Sequence, residues 1–171
     1  MSEKKYYGKY RATVFDNIDP KQMGRISVSC PSVLGDTPSS WAMPCFPVAG
    51  PQAGTWWLPD IGAGVWVEFE QGDVDFPIWT GCWFGSAAEV PPLAFASSPG
   101  VPNYVLQTPG GTAIMLNDTP GESGGILLKT ASGAFISITD SGITISNGQG
   151  AIIEMANGPA VNINGDALQI I

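Results

Sequence analysis

Residues 134–147, AFISITDSGITISN, carry the pattern on which the fold turns. Ile136, Ile138, Ile143 and Ile145 alternate with small polar residues, a period of two that makes each half of the stretch a β-strand with one apolar face. The pattern runs on as Ile153/Met155, Val161/Ile163 and Leu168/Ile170, and the five apolar pairs start 7, 10, 8 and 7 residues apart. Asn147-Gly148, Asn157-Gly158 and Asn164-Gly165 fall between them, supplying residues that tolerate the positive φ of tight turns. Upstream, TAIMLND (112–118) and GILLKT (125–130) predict two further strands.

A ladder this thin cannot stand alone. Two apolar side chains per strand supply roughly 3–6 kcal/mol on burial, whereas fixing the backbone of about five residues costs on the order of 1–2 kcal/mol for each. Copies must therefore enclose one another's apolar faces. A single-chain solenoid needs about 20 residues per coil, which leaves this segment only about three coils, near the minimum for stability. Three chains wound about a common axis triple the apolar lining, and pairing strands between chains removes the exposed sheet edge. The expectation for residues 104–171 is an intertwined trimeric β-helix or β-prism needle. Its core would be Ile136, Ile138, Ile143, Ile145, Ile153, Met155, Val161, Ile163, Leu168 and Ile170.

The chain before residue 86 is built differently: 15 of the 17 aromatic residues, including all six tryptophans, precede residue 96. KYRATVFD (9–16) predicts a strand, and the turn DNIDPKQMG follows. RISVSCP places Ile26, Val28 and Cys30 on one face and Ser27 and Ser29 on the other. WAMPCFPVAGP holds too many prolines for a central strand and predicts an edge strand or extended link. GTWWLPDIGAG predicts a short strand and a Gly-rich turn, VWVEFEQGD a strand with Val65, Val67 and Phe69 on one side, and FPIWTGCWFG the last strand. Five short strands with no amphipathic helical window predict a small β-barrel over residues 1–85. Residues 86–103 hold four prolines and predict a linker or a strap.

Composition excludes several functions. The formal charge is −8, and no Lys or Arg occurs between Arg25 and Lys129, so the clustered cations of a nucleic-acid groove are missing. The same acidity disfavours adsorption to an anionic membrane. Three widely spaced cysteines fit a reducing site of synthesis, and the start MSEKKYYGKY has no apolar leader segment. With no histidine, Ser-His-Asp and Cys-His nucleophilic centres are excluded. Glu68 and Glu70 could be imagined as an acid pair, but their alternation with Val67 and Phe69 makes them the solvated face of a strand. Asp73 and Asp75 are expected to be hairpin carboxylates rather than a calcium site. Arg25 is expected in an internal ion pair. Trp56, Trp57, Trp66, Trp79 and Trp83 are expected in core and interface burial, not in a sugar platform. No catalytic residue, cofactor or metal is expected.

The first 85 residues resemble the OB-fold domain of the phage baseplate assembly protein V family, the central spike of contractile tails and related injection systems. The resemblance rests on VFDNIDPKQMGRISVSCP (14–31), WAMPC (41–45) and LPDIGAGVWVEFEQGDVDFPIWTGCWFG (58–85). Within these stretches Asp19, Pro20, Gly24, Arg25, Trp41, Pro44, Trp66, Phe69, Gly72, Asp73, Pro77 and Gly81 are expected as structural or interface residues. The second half fits the family's β-helical needle. Residues 86–103 are too few to hold the lysozyme domain of some relatives, and the absence of histidine departs from an iron-binding tip.

The resemblance implies a homotrimer in the tail baseplate or injection particle, made in the host cytoplasm without a signal peptide. It would dock under a separate trimeric hub protein, could carry a separate tip cap, and would be driven mechanically into the target envelope, without nucleic acid. The competing expectation is a carbohydrate-binding tail fibre or adhesin with an OB-fold sugar site. A lyase of the β-helix type comes third, disfavoured by the missing histidine and scarce basic residues.

Overall fold

The computed structural model describes residues 4–156, 158–165 and 167–170, the last two by backbone only. Asn157 of the expected Asn157-Gly158 turn, and the Ile170 side chain assigned to the core, lie outside the described residues. Two compact units divide the chain, Met1–Glu89 and Val90–Ile171.

In the first unit the strands are β1 (Tyr10–Asp16), β2 (Ser27–Ser29), β3 (Met43–Pro44), β4 (Ala49–Gly50), β5 (Ala53–Gly54), β6 (Gly64–Phe69) and β7 (Pro77–Trp83). Five form one sheet in the order β2-β1-β6-β7-β3, antiparallel except for β3 against β7. The sheet closes on itself. Ile26, just before β2, bridges Ala42, just before β3, through Ala42 N–H to Ile26 O at 2.7 Å and Ile26 N–H to Ala42 O at 3.2 Å. That closure supplies partners for both edges and makes the sheet a barrel.

Alternation fills the interior: Ala12 and Val14, Ile26, Val28 and Cys30, Val65, Val67 and Phe69, and Trp79 form one buried cluster with Ala42. Two irregularities bend the strands. Val14 pairs Val28 while Asp16 pairs Ser27, which leaves Phe15 as the extra residue, turned out and 58% exposed. Trp66 pairs Gly81 while Val67 pairs Trp79, a second bulge that returns Trp79 to the core.

The structure corrects several expectations. GTWW contributes no barrel strand: only Gly54 is extended there, in the small β4–β5 hairpin, and the Trp-Trp-Leu-Pro run has no alternation to present a face. The fifth strand is Met43–Pro44. The stretch after β2 begins with one helical turn, α1 (Pro31–Leu34), because Pro31 suits a first helical position and the N–H groups of Val33 and Leu34 reach Cys30 O. Glu70 lies beyond β6 in a 3-10 turn (Glu70–Gly72), so it shares no strand face with Glu68.

A carboxylate-centred loop closes one end of the barrel. Asp19 is buried, and its oxygens accept from the backbone N–H of Lys21 at 2.9 Å and Met23 at 2.8 Å, and from Arg25 Nε at 3.0 Å. Pro20 occupies the second position of the turn that Gln22 N–H closes on Asp19 O. The Arg25 guanidinium also sits over the Trp41 ring, 5.6 Å from its centroid. Gly24 follows at φ +77, where a Cβ would meet the Phe46 ring at 3.0 Å, and its carbonyl accepts from Trp79 Nε1 at 3.0 Å.

In the second unit eight strands follow: β8 (Asn103–Gln107), β9 (Ala113–Asn117), β10 (Gly125–Lys129), β11 (Phe135–Thr139), β12 (Gly142–Ser146), β13 (Ile152–Ala156), β14 (Val161–Ile163) and β15 (Leu168–Ile170). They form one antiparallel meander in chain order. This replaces the solenoid alternative, and it leaves the outer edges of β8 and β15 as the places where strands of this sheet lack a ladder partner among the described residues. Every one of these strands takes its ladder partners from its sequence neighbours, because turns of a few residues bring consecutive strands together at once.

Two predictions concern the barrel. Gly24→Ala forces a left-handed residue with a side chain against Phe46, and should destabilise the barrel by about 1–2 kcal/mol from backbone strain alone, read as a lower denaturation midpoint by tryptophan fluorescence. The Arg25 guanidinium beside Asp19 holds its carboxyl well below the usual carboxylate range. A depressed value stabilises the fold above the unfolded pKa of about 4 and is lost as pH falls below it. Asp19→Asn should therefore melt lower than the native chain at pH 7, and the gap should narrow as pH falls below about 4.

Candidate functional site

The residues expected to matter in the barrel are scattered around it. Phe69 packs its ring 5.7 Å from Tyr10 and 6.2 Å from Tyr6. Gly72, at φ +77, accepts the Tyr6 N–H at 2.9 Å, and Asp73 lies 3.8 Å from the Lys5 ammonium, so the N-terminal arm lies along this hairpin. Asp75 N–H turns back to Asp73 at 3.1 Å, which gives both aspartates roles inside the hairpin. Pro44 pairs with Trp79, Pro77 is buried opposite Phe69, and Gly81 sits at the bulge across from Trp66.

Burial divides the tryptophans. Trp79 is 2% exposed, Trp66 and Trp83 are half-buried with the Arg11 guanidinium 5.6 and 5.3 Å from their rings, and Trp56 and Trp57 are exposed. Trp56 and Trp57 thus lie outside the barrel core, because the 55–63 segment crosses outside the barrel and has no sheet to press them inward.

The second unit holds a single continuous feature. Cross-strand register aligns Tyr104, Leu116, Ile126, Ile138, Ile143, Met155, Val161 and Ile170 in one row. Leu106, Ile114, Leu128, Ile136, Ile145, Ile153, Ile163 and Leu168 make the neighbouring row. Alternation places both rows on the same face, and no polar residue interrupts either. Nine of the ten residues assigned to the core fall on these rows with described side chains, and Ile170 joins them by backbone register alone. Six more, Tyr104, Leu106, Ile114, Leu116, Ile126 and Leu128, extend them across β8 to β10, a part sequence reading did not assign.

Within the chain this face is uncovered. Side chains in the middle of the sheet are about two-fifths exposed, such as Ile126 at 40% and Ile138 at 40%, and Tyr104 reaches 68%. The strip is two side chains wide and, at about 4.8 Å per strand, about 34 Å long. A side chain left that open forgoes on the order of 1 kcal/mol, so about fifteen such positions rival the roughly 4–15 kcal/mol cost of association. The opposite face changes along the sheet. Val105, Met115 and Leu127 are followed at the same register by Ser137, Thr144, Glu154 and Asn162. The strip is the face to be covered.

Substitutions on the two faces should separate cleanly. Ile138→Asp places an unpaired charge in the covered strip, which costs several kcal/mol, and should abolish the ordered sheet signal and protease resistance of residues 104–171. Ser137→Asp, one position along, should leave both intact. Ile138→Val should lower stability by about 0.5–1.5 kcal/mol per chain.

Comparison with known proteins assigns the two units. Residues 10–84 match the family model of the type VI secretion system and phage-baseplate injector OB domain, and residues 103–169 match that of the phage baseplate V C-terminal trimerisation domain. Among curated proteins no relative matches the chain. The closed barrel is an OB-fold, and the second unit is a homotrimerisation domain in a structural component of a baseplate or injection particle. The chain belongs to the phage baseplate assembly protein V family.

Proposed function

We propose that the chain is the central spike of a contractile tail or injection system: its barrel docks under a trimeric hub protein, and its trimeric second unit is the needle driven through the target envelope when the sheath contracts. The observation that carries this reading is the uninterrupted apolar strip, two side chains wide over eight strands. Three copies closing such strips together give a narrow, dry-cored rod, whose stiffness comes from backbone ladders within each chain and interdigitated aliphatic side chains between chains. The outward register from β11 onward, Ser137, Thr144, Glu154 and Asn162, is short and polar, which suits a rod that must pass through an envelope without adhering to it. A separate tip cap remains compatible with this arrangement. We assign the chain no catalytic role.

The competing carbohydrate-binding reading would use the exposed Trp56. The hollow beside it, about 450 Å³, is lined mainly by Met23, Phe46, Val48 and small residues, and lacks the array of polar side chains that sugar hydroxyls require. Tryptophan fluorescence should accordingly be unchanged by oligosaccharides at millimolar concentration.

The spike reading is tested by assembling particles with a chain that ends before residue 103. Such particles should contract but fail to permeabilise target envelopes, with delivery reduced at least tenfold. Undiminished delivery would overturn the assignment.

A further inference from the structure

Three buried side-chain atoms at the start of the meander, Asn103 Oδ1, Asn117 Nδ2 and Thr119 Oγ1, have no hydrogen-bond partner among the described residues. They belong together. Asn103 and Asn117 are opposite one another across β8 and β9, on the face away from the apolar strip. Thr119 is joined to Asn117 by its backbone N–H, which donates to Asn117 Oδ1 at 2.8 Å. Asn117 is 3% exposed, and all three atoms are buried within their own chain, on the side of the sheet opposite the apolar strip.

The other ends of both amides are already committed, which fixes what each offers. Asn103 Nδ2 donates to Leu93 O at 2.7 Å, leaving Oδ1 as an acceptor. Asn117 Oδ1 accepts from Thr119, leaving Nδ2 as a donor. Thr119 Oγ1 can do either. The site thus presents one acceptor, one donor and one hydroxyl. A cation would face the Asn117 N–H, and an anion would face the Asn103 carbonyl oxygen. Only a small neutral molecule that both donates and accepts satisfies all three.

We propose that one water molecule is bound here as a permanent part of each chain, donating to Asn103 Oδ1, accepting from Asn117 Nδ2 and bonded to Thr119 Oγ1. Three partners are the usual complement of a buried water. Its position gives it a task. Asn103 holds Leu93, in the 3-10 turn Pro92–Phe95, and the neighbouring Asp118 N–H donates to Pro102 O at 3.0 Å. The water thereby ties the proline-rich approach, residues 93–102, to the first two strands of the sheet.

The test is a crystal structure of the full chain at a resolution that orders solvent, paired with Thr119→Val. The expected result is one ordered peak per chain within about 2.7–3.2 Å of all three atoms, without anomalous signal, together with a lower melting midpoint for the variant, whose water has lost a partner. A direct Asn103 Oδ1 to Asn117 Nδ2 bond with no peak would overturn the proposal, as would a metal peak. So would a variant that melts at or above the native midpoint, since removing an unpaired buried hydroxyl relieves a penalty.

Discussion

Everything in the second unit depends on one constraint: each strand places two apolar side chains on the same face of the sheet. Six of the eight strands have ladder partners on both sides within the chain, and the outer edges of β8 and β15 stay open. Burial of the apolar face is therefore the larger drive for copies to meet. A strip too narrow to fold back on itself and too long to remain wet makes folding and assembly one event. The few charges on either face of the sheet mean that ion pairing adds little, and salt should have little leverage on the assembled form.

The barrel follows the opposite logic. Its sheet closes through Ile26 and Ala42, its interior is filled by its own alternating residues, and the buried carboxylate of Asp19 is neutralised by Arg25 and backbone donors within the same loop. It therefore has a core of its own, in contrast to the strip. The exposed apolar residues it retains, including Ile18, Ile61 and Trp56, lie on loops and outer surfaces rather than on one aligned face. The two halves of the chain thus represent two ways of satisfying apolar surface, inward closure and enclosure by copies.

Alternation made the later strands legible, since Ile136 to Ile163 stand among Ser, Thr, Asn and Glu that cannot be mistaken for core. The same test failed for β8 to β10, where Val105, Met115 and Leu127 make the outer register apolar as well and erase the period. Partner identity was not legible either. A period of two is equally served by pairing within or between chains, and the short turns, not the strands, set the pairing within this chain. In the barrel, the ion pair of Arg25 was foreseeable from its isolation in charge, but the choice of Asp19 follows from the loop geometry. The outward Trp56 and Trp57 defied the preference of tryptophan for burial because prolines and glycines around them prevent a strand from forming. The buried polar trio was invisible, because Asn103 and Asn117 look like ordinary turn-flanking residues until register sets them face to face.

The most direct test of the account is the solution mass of the intact chain across a dilution series, with sheet content followed in the same samples. Enclosure of the strip by copies predicts a particle of three times 17.9 kDa whose sheet signal beyond the barrel vanishes together with the trimer. A single chain of 17.9 kDa that keeps its full sheet signal would contradict it.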